Sequence, residues 1–165
     1  MSSLVDFQIR ELARTKGMVE PFNPDQVNPA SYDVTLGDSV KMEMAHGWEE
    51  VDISKKPLMI APGTFVLAYT AELIRIPAHL ECIFQLKSSR GREGYEHALA
   101  GYIDPGFTGQ VTLELTNLNR FHWLPLEAGM RIGQLRFARL DATPHRPYNL
   151  TGRYNNDRGA VISKG

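Results

Sequence analysis

Three stretches concentrate polar and charged side chains inside sequence that is otherwise strand-like. In Gln85-Leu86-Lys87-Ser88-Ser89-Arg90-Gly91-Arg92-Glu93-Gly94 a β-prone run ends in hydroxyls, cations and glycines. Backbone amides freed by small residues, with serine hydroxyls and guanidinium forks beside them, are the parts of a phosphate cradle. The same residues also describe a solvated loop with ordinary surface arginines, and the P-loop spacing GxxxxGK[ST] is absent. In the second stretch Asp104 precedes Pro105-Gly106, where a turn residue is as natural as a reactive carboxylate. Just beyond, Val111, Leu113 and Leu115 alternate with Thr112, Glu114 and Thr116, so a strand here sends Glu114 to its polar face. Most such glutamates face solvent and are inert. On a face lining a cleft between subunits, desolvation would raise the carboxyl pKa and suit it to proton transfer. In the third stretch Gly133 interrupts the strand-like Met130–Phe137 run. That predicts a bulge or a close backbone approach, which would turn the Gln134 amide inward.

The elements that must position these groups are mostly strands. One helix is expected over Ser3 to Lys16, with Val5, Ile9, Leu12 and Ala13 on one face, Ser3 as N-cap and Gly17 as stop. Short β-prone runs follow at 31–36, 40–44, 48–53, 64–69, 73–76, 80–86, 111–118 and 132–140. Between them Pro57, Pro62-Gly63, Pro77, Pro105-Gly106 and Pro125 supply turns. This pattern predicts an all-β fold, a barrel or jelly roll, with the helix packed outside. Residues 144–165 form a tail of four basic residues and one acidic, rich in Asn and Gly. Its composition favours disorder, the alternative being an arm that orders over an anionic ligand.

With 165 residues, a hydrophobic fraction of 42% and a formal charge of −1, the chain can bury one core. Near-neutral charge argues against gripping a nucleic-acid polymer or a membrane by bulk electrostatics. The lone Cys82 excludes an intramolecular disulfide, a CxxC pair and any thiolate zinc site that needs two or more cysteines from one chain. No apolar run reaches 18 residues and the opening residues carry no signal-peptide core, so a cytoplasmic location is expected, in a bacterium or a phage-infected cell.

The order and spacing of these stretches resemble the dCTP deaminase branch of the trimeric dUTPase-like family. The resemblance runs through Ser31-Tyr32-Asp33-Val34-Thr35-Leu36-Gly37, Lys87–Arg92, Ala100–Gln110, the strand with Glu114, and Met130–Leu135. It ends in Pro147-Tyr148-Asn149, Arg153-Tyr154 and Gly159–Lys164. It implies a distorted jelly-roll or β-barrel, a homotrimer with each site at a subunit boundary, and zinc-independent deamination of dCTP to dUTP and ammonia. By the same resemblance Glu114 is the general base and acid, Ser88 places the water, Arg92 tunes or orients the glutamate, and the Ala100 carbonyl contacts the water or amino group. Lys87, Ser89, Arg90, Tyr102, Asp104, Gln134, Tyr148, Arg153 and Asp157 become substrate contacts, Mg²⁺ rides on the triphosphate, and dTTP is a candidate inhibitor.

Departures from the pattern bear on the reaction. Strict deaminases commonly read Ala-His-Arg-Ile-Asp where this chain has Ala100-Gly101-Tyr102-Ile103-Asp104, a loop resembling both dUTPases and bifunctional enzymes that continue to dUMP and pyrophosphate. Glu93 stands where a leucine is usual, and Asp157 where a glutamine often contacts the nucleotide. The bifunctional reaction is therefore the alternative. A pure dUTPase using Asp104 is a rival that leaves Ser88-Ser89 with Arg92 unexplained, and a nucleotide-binding regulator without turnover is a third reading.

Overall fold

The computed structural model describes residues 2–165. Its strands are all antiparallel and form four sheets. The largest sheet runs Tyr102–Ile103, Leu80–Leu86, Arg131–Arg139, Ser31–Thr35, Val27–Asn28, with Ser2–Ser3 added beside Arg131–Arg139. The second runs Tyr95–Glu96, Thr112–Asn117, Phe65–Tyr69, Ser39–Met44, Gly47–Asp52. A three-stranded sheet of Thr108–Gly109, Leu73–Arg75 and Val19–Glu20 and a two-stranded one of Leu124–Leu126 with Leu58–Ile60 complete it. The inner faces meet in one core that includes Tyr32, Phe84, Phe137, Ile74, Leu113, Leu115 and Leu135.

Two local rules explain the elements that carry polar groups. In Thr112–Asn117 the alternation is realised in space: Leu113 and Leu115 are buried in the core while Thr112, Glu114 and Thr116 are half-buried on the outer face. Gly133 lies at a register shift between Arg131 and Gly133, and a Cβ there would come within 2.2 Å of the Phe84 ring. The expected bulge and the expected close approach therefore both occur, and only glycine fits.

The helix spans Asp6–Lys16, three residues shorter than its sequence pattern suggested, and Val5, not Ser3, occupies the N-cap. Ser2 and Ser3 pair instead with Arg139 and Ala138. The Gln8 side chain accepts from the Val5 N–H at 3.1 Å, and Gly17 ends the helix with φ 59°. Ser88–Glu93, read as a loop, is a short second helix. Among the described residues no helix is long and apolar enough to cross a membrane.

Candidate active site

The outer face of the second sheet is covered, which its composition already requires. In Phe65–Tyr69 every residue is apolar or aromatic: Val66 and Ala68 enter the core, while Phe65, Leu67 and Tyr69 pack with Ala160 of the C-terminal segment. That segment follows a defined path. Tyr148 N–H donates to the Pro105 carbonyl at 2.8 Å, Gln110 N–H to the Asp157 carbonyl at 3.0 Å, and Asn156 N–H to the Thr108 carbonyl. Gly159 N–H reaches Gln110 Oε1 at 2.8 Å and Val161 N–H reaches Thr112 Oγ1 at 3.1 Å. Composition favoured disorder because it cannot register bonds made mainly by backbone groups.

Between sheet and segment lies a cavity of about 480 Å³. Its apolar wall is Trp48, Phe65, Leu67, Phe107 and Val161; its polar groups include Glu114, Asp104, Thr112, Gln110, Tyr154 and Asp157. Glu114 stands opposite Leu67 in the strand register. Burial there raises its carboxyl pKa above the ordinary glutamate value, opposed by a hydrogen bond from its own backbone. A carboxyl shifted in that direction holds a proton more readily than an ordinary glutamate.

The loop before Asp104 is held tightly. Ala98 and Leu99 adopt left-handed φ angles of 52° and 57°, which set the direction of the next peptide, that of Ala100. Gly101 abuts the strand Leu80–Leu86: its carbonyl accepts from Phe84 N–H at 2.7 Å, and a Cβ on it would lie 2.3 Å from the Phe84 carbonyl oxygen. Tyr102 donates to the buried Glu81 carboxylate at 3.0 Å, and its phenol is pushed up to about 12 by desolvation and then by that carboxylate.

The structure thus brings Glu114, Ala100, Tyr102, Asp104, Tyr148 and Asp157 to one cavity. It does not bring Lys87, Ser88, Ser89, Arg90, Arg92, Gln134 or Arg153 to that cavity within one chain. Lys87 pairs with the buried Asp33 carboxylate at 2.6 Å, where Asn28 at 2.8 Å and Arg131 at 3.5 Å also converge. Arg90 donates to the Arg131 carbonyl at 3.0 Å and pairs with Glu93 at 2.6 Å. Ser88, Ser89 and Arg92 are exposed on the short helix. Gln134 accepts from the Ser31 hydroxyl at 3.0 Å, and Arg153 lies on a smaller cleft with Thr151 and Gly152. Sequence reasoning missed Trp48, Phe65, Leu67 and Phe107; the unbroken apolar run Phe65–Tyr69 was the available signal of a second covered face.

Among the described residues, no group of three or more His, Cys, Asp or Glu is placed to hold a metal ion. The family model described as dCTP deaminase-like matches residues 3–140. The chain belongs to that dCTP deaminase-like family. Among its relatives, "dCTP deaminase, dUMP-forming" of Acidothermus cellulolyticus is 37% identical over 180 residues, covering 98% of this chain and 94% of the relative. The Aquifex aeolicus protein of the same name is 38% identical, covering 98% and 93%. The solved 2′-deoxycytidine 5′-triphosphate deaminase of Agrobacterium tumefaciens superposes with a TM-score of 0.70 at 25% identity over 82% of this chain. This chain covers 47% of that one. A mutant dUTPase from phage phi11 of S. aureus, 14% identical with a TM-score of 0.52 over 76% of this chain and 86% of its own, shares the fold. The architecture of this dCTP deaminase-like chain is therefore mainly β and dUTPase-like.

Proposed function

We propose that the protein is an enzyme that deaminates dCTP, bound as its Mg²⁺ complex, in the cytoplasm. The observation that carries the reading is Glu114: a half-buried carboxylate, its pKa raised, on the wall of a nucleoside-sized cavity beside Asp104 and the Ala100 peptide. Membership in the dCTP deaminase-like family supports the same substrate class. In the reaction Glu114 takes a proton from water as its oxygen attacks C4 of cytosine, and that proton passes to N3. Glu114 then delivers the remaining proton of the added hydroxyl to the amino group. The C4–N bond breaks, ammonia leaves and uracil remains. Glu114 ends as it began, so one carboxylate serves both steps. Thr112 and the Ala100 peptide, both on the cavity wall, offer polar groups to the base, and the aromatic Phe107 and Tyr148 flank the sugar.

Catalysis by a homotrimer is supported by what the single chain keeps apart. The lining residues include three carboxylates and no lysine or arginine, whereas Ser88, Ser89 and Arg92 are exposed elsewhere. A second copy inserting its Ser88–Arg92 segment would bring hydroxyls and cations to the triphosphate and Arg92 to Glu114. A monomeric mass by light scattering with full activity would refute this arrangement.

A second reading, release of dUMP and pyrophosphate in place of dUTP, is favoured by two observations. The relatives at 34–38% identity are named dUMP-forming. Gly101, which takes the place of the usual histidine of strict deaminases, also leaves no room for a side chain against Phe84. In this reading Asp104 activates a second water for attack on the α-phosphate. The deciding experiment incubates the protein with dCTP and Mg²⁺, separates products by ion exchange and measures ammonia, with dUTP as a parallel substrate. Accumulating dUTP indicates strict deamination, and dUMP with pyrophosphate indicates the coupled reaction. Turnover of dUTP alone, or ammonia release by Glu114→Gln at more than about a hundredth of the normal rate, overturns the role given to Glu114.

A further inference from the structure

The cavity presents a difficulty for any anionic ligand. Its lining includes Asp104, Glu114 and Asp157 without a lysine or arginine, so a triphosphate arriving there meets three carboxylates. Lys164 answers for one of them. Its ammonium donates to both Asp157 oxygens, at 2.8 and 2.7 Å, and to the Arg153 carbonyl at 2.8 Å, which uses all three of its donors. The same nitrogen lies 5.1 Å from the centre of the Tyr154 ring, and the Lys164 N–H donates to Tyr154 Oη at 3.1 Å. Residues 153–164 are thereby closed into a loop whose other side, Tyr154, Asp157, Val161 and Ser163, forms cavity wall. The Asp157 side chain is 20% exposed, and its carbonyl accepts from the Gln110 N–H, which holds the residue in the cavity wall.

We infer that Lys164 is a positioning residue for nucleotide binding, acting through Asp157: it neutralises the carboxylate in the cavity wall and so admits the triphosphate. The inference rests on the reading of the cavity as the dCTP site. It assigns Lys164 no contact with the reacting atoms, and its effect falls on KM and not on kcat. A single uncompensated charge several ångströms from a polyanion at a partly screened surface weakens binding by about tenfold.

The test uses the full chain and four proteins: unmodified, Lys164→Met, Lys164→Arg, and Lys164→Met combined with Asp157→Asn. With Mg²⁺-dCTP, Lys164→Met should raise KM about tenfold with kcat within about twofold, and Lys164→Arg should stay near the unmodified value. Removing the charge of Asp157 in the Lys164→Met background should recover most of the lost affinity, which loss of a merely structural tie would not do. The KM ratio of Lys164→Met to unmodified protein should also shrink between about 20 mM and about 200 mM salt. An unchanged KM in Lys164→Met, or a double variant no better than the single, overturns the inference while dCTP turnover by the unmodified protein upholds the site. Absence of turnover in the unmodified protein overturns the reading of the site and the inference with it.

Discussion

The contact between Gly101 and Phe84 makes a quantitative prediction for Gly101→Ala. The added methyl would sit 2.3 Å from the Phe84 carbonyl oxygen, where ordinary contact begins near 3.4 Å, so about 1 Å of movement is required. Phe84 cannot supply it. It is 2% exposed and lies mid-strand in Leu80–Leu86, paired with Leu135 on its other side. The loop must move, although it is held to that strand by the Tyr102 and Ile103 pairings, the 3.0 Å bond from the Tyr102 hydroxyl to Glu81 and the 2.7 Å bond from Phe84 N–H to the Gly101 carbonyl. Overpacking of one methyl costs about 1–3 kcal/mol, and loss of that hydrogen bond adds about 1 kcal/mol. A total of about 2–4 kcal/mol lowers the unfolding midpoint of a domain this size by about 5–15 °C. Because the Ala100 peptide and Asp104 flank the displaced residue, dCTP turnover should fall by about a hundredfold. Calorimetry and a product assay on the same preparation measure both. A variant that melts within about 2 °C of the unmodified protein and turns over normally would show that the loop has slack, and the steric argument would be wrong.

Two other perturbations separate stability from chemistry. Burial raises the Glu114 pKa, and a carboxyl whose folded-state value is raised costs stability wherever it must ionise, above that value, and nothing below the unfolded one. Glu114→Gln should therefore melt higher than the unmodified protein at about pH 8, with the difference closing below about pH 4; an equal gain at both pH values would refute the electrostatic cause. Lys87→Met leaves the Asp33 carboxylate, 2% exposed, with only Asn28 and the longer 3.5 Å contact to Arg131. Urea unfolding should show a loss of about 2–3 kcal/mol, much of it recovered on adding Asp33→Asn.

What could be read from the sequence depended on how local the decisive interaction was. Leu80–Leu86 matched its expected span because its apolar run is bounded by Pro77 on one side and by Lys87-Ser88 on the other. Glu114 was placed on the correct face because alternation along a strand is a property of the strand alone. Leu58–Ile60 and Leu124–Leu126 were missed: each has three residues, the second contains Pro125, and they are strands only because they pair with each other although far apart in sequence. Ser3 looked like an N-cap until a distant strand edge claimed it. The cavity divides in the same way. Asp104 and Glu114 were visible as polar residues within β-prone sequence and Ala100 only through the family resemblance, whereas Trp48 and Phe65, whose rings meet edge to face at 6.0 Å, looked like ordinary strand residues. They become site residues only when the C-terminal segment closes over them.

That segment follows its path largely through main-chain N–H and C=O groups, at Tyr148, Asn156, Asp157, Gly159 and Val161. A route written in the backbone is indifferent to most of the side chains strung along it. Substitutions between residues 148 and 161 can accumulate without the segment losing its place, so selection is free to retune the wall it presents to a ligand one residue at a time. An aspartate at position 157, with Lys164 paired to it, is the kind of combination such a route permits.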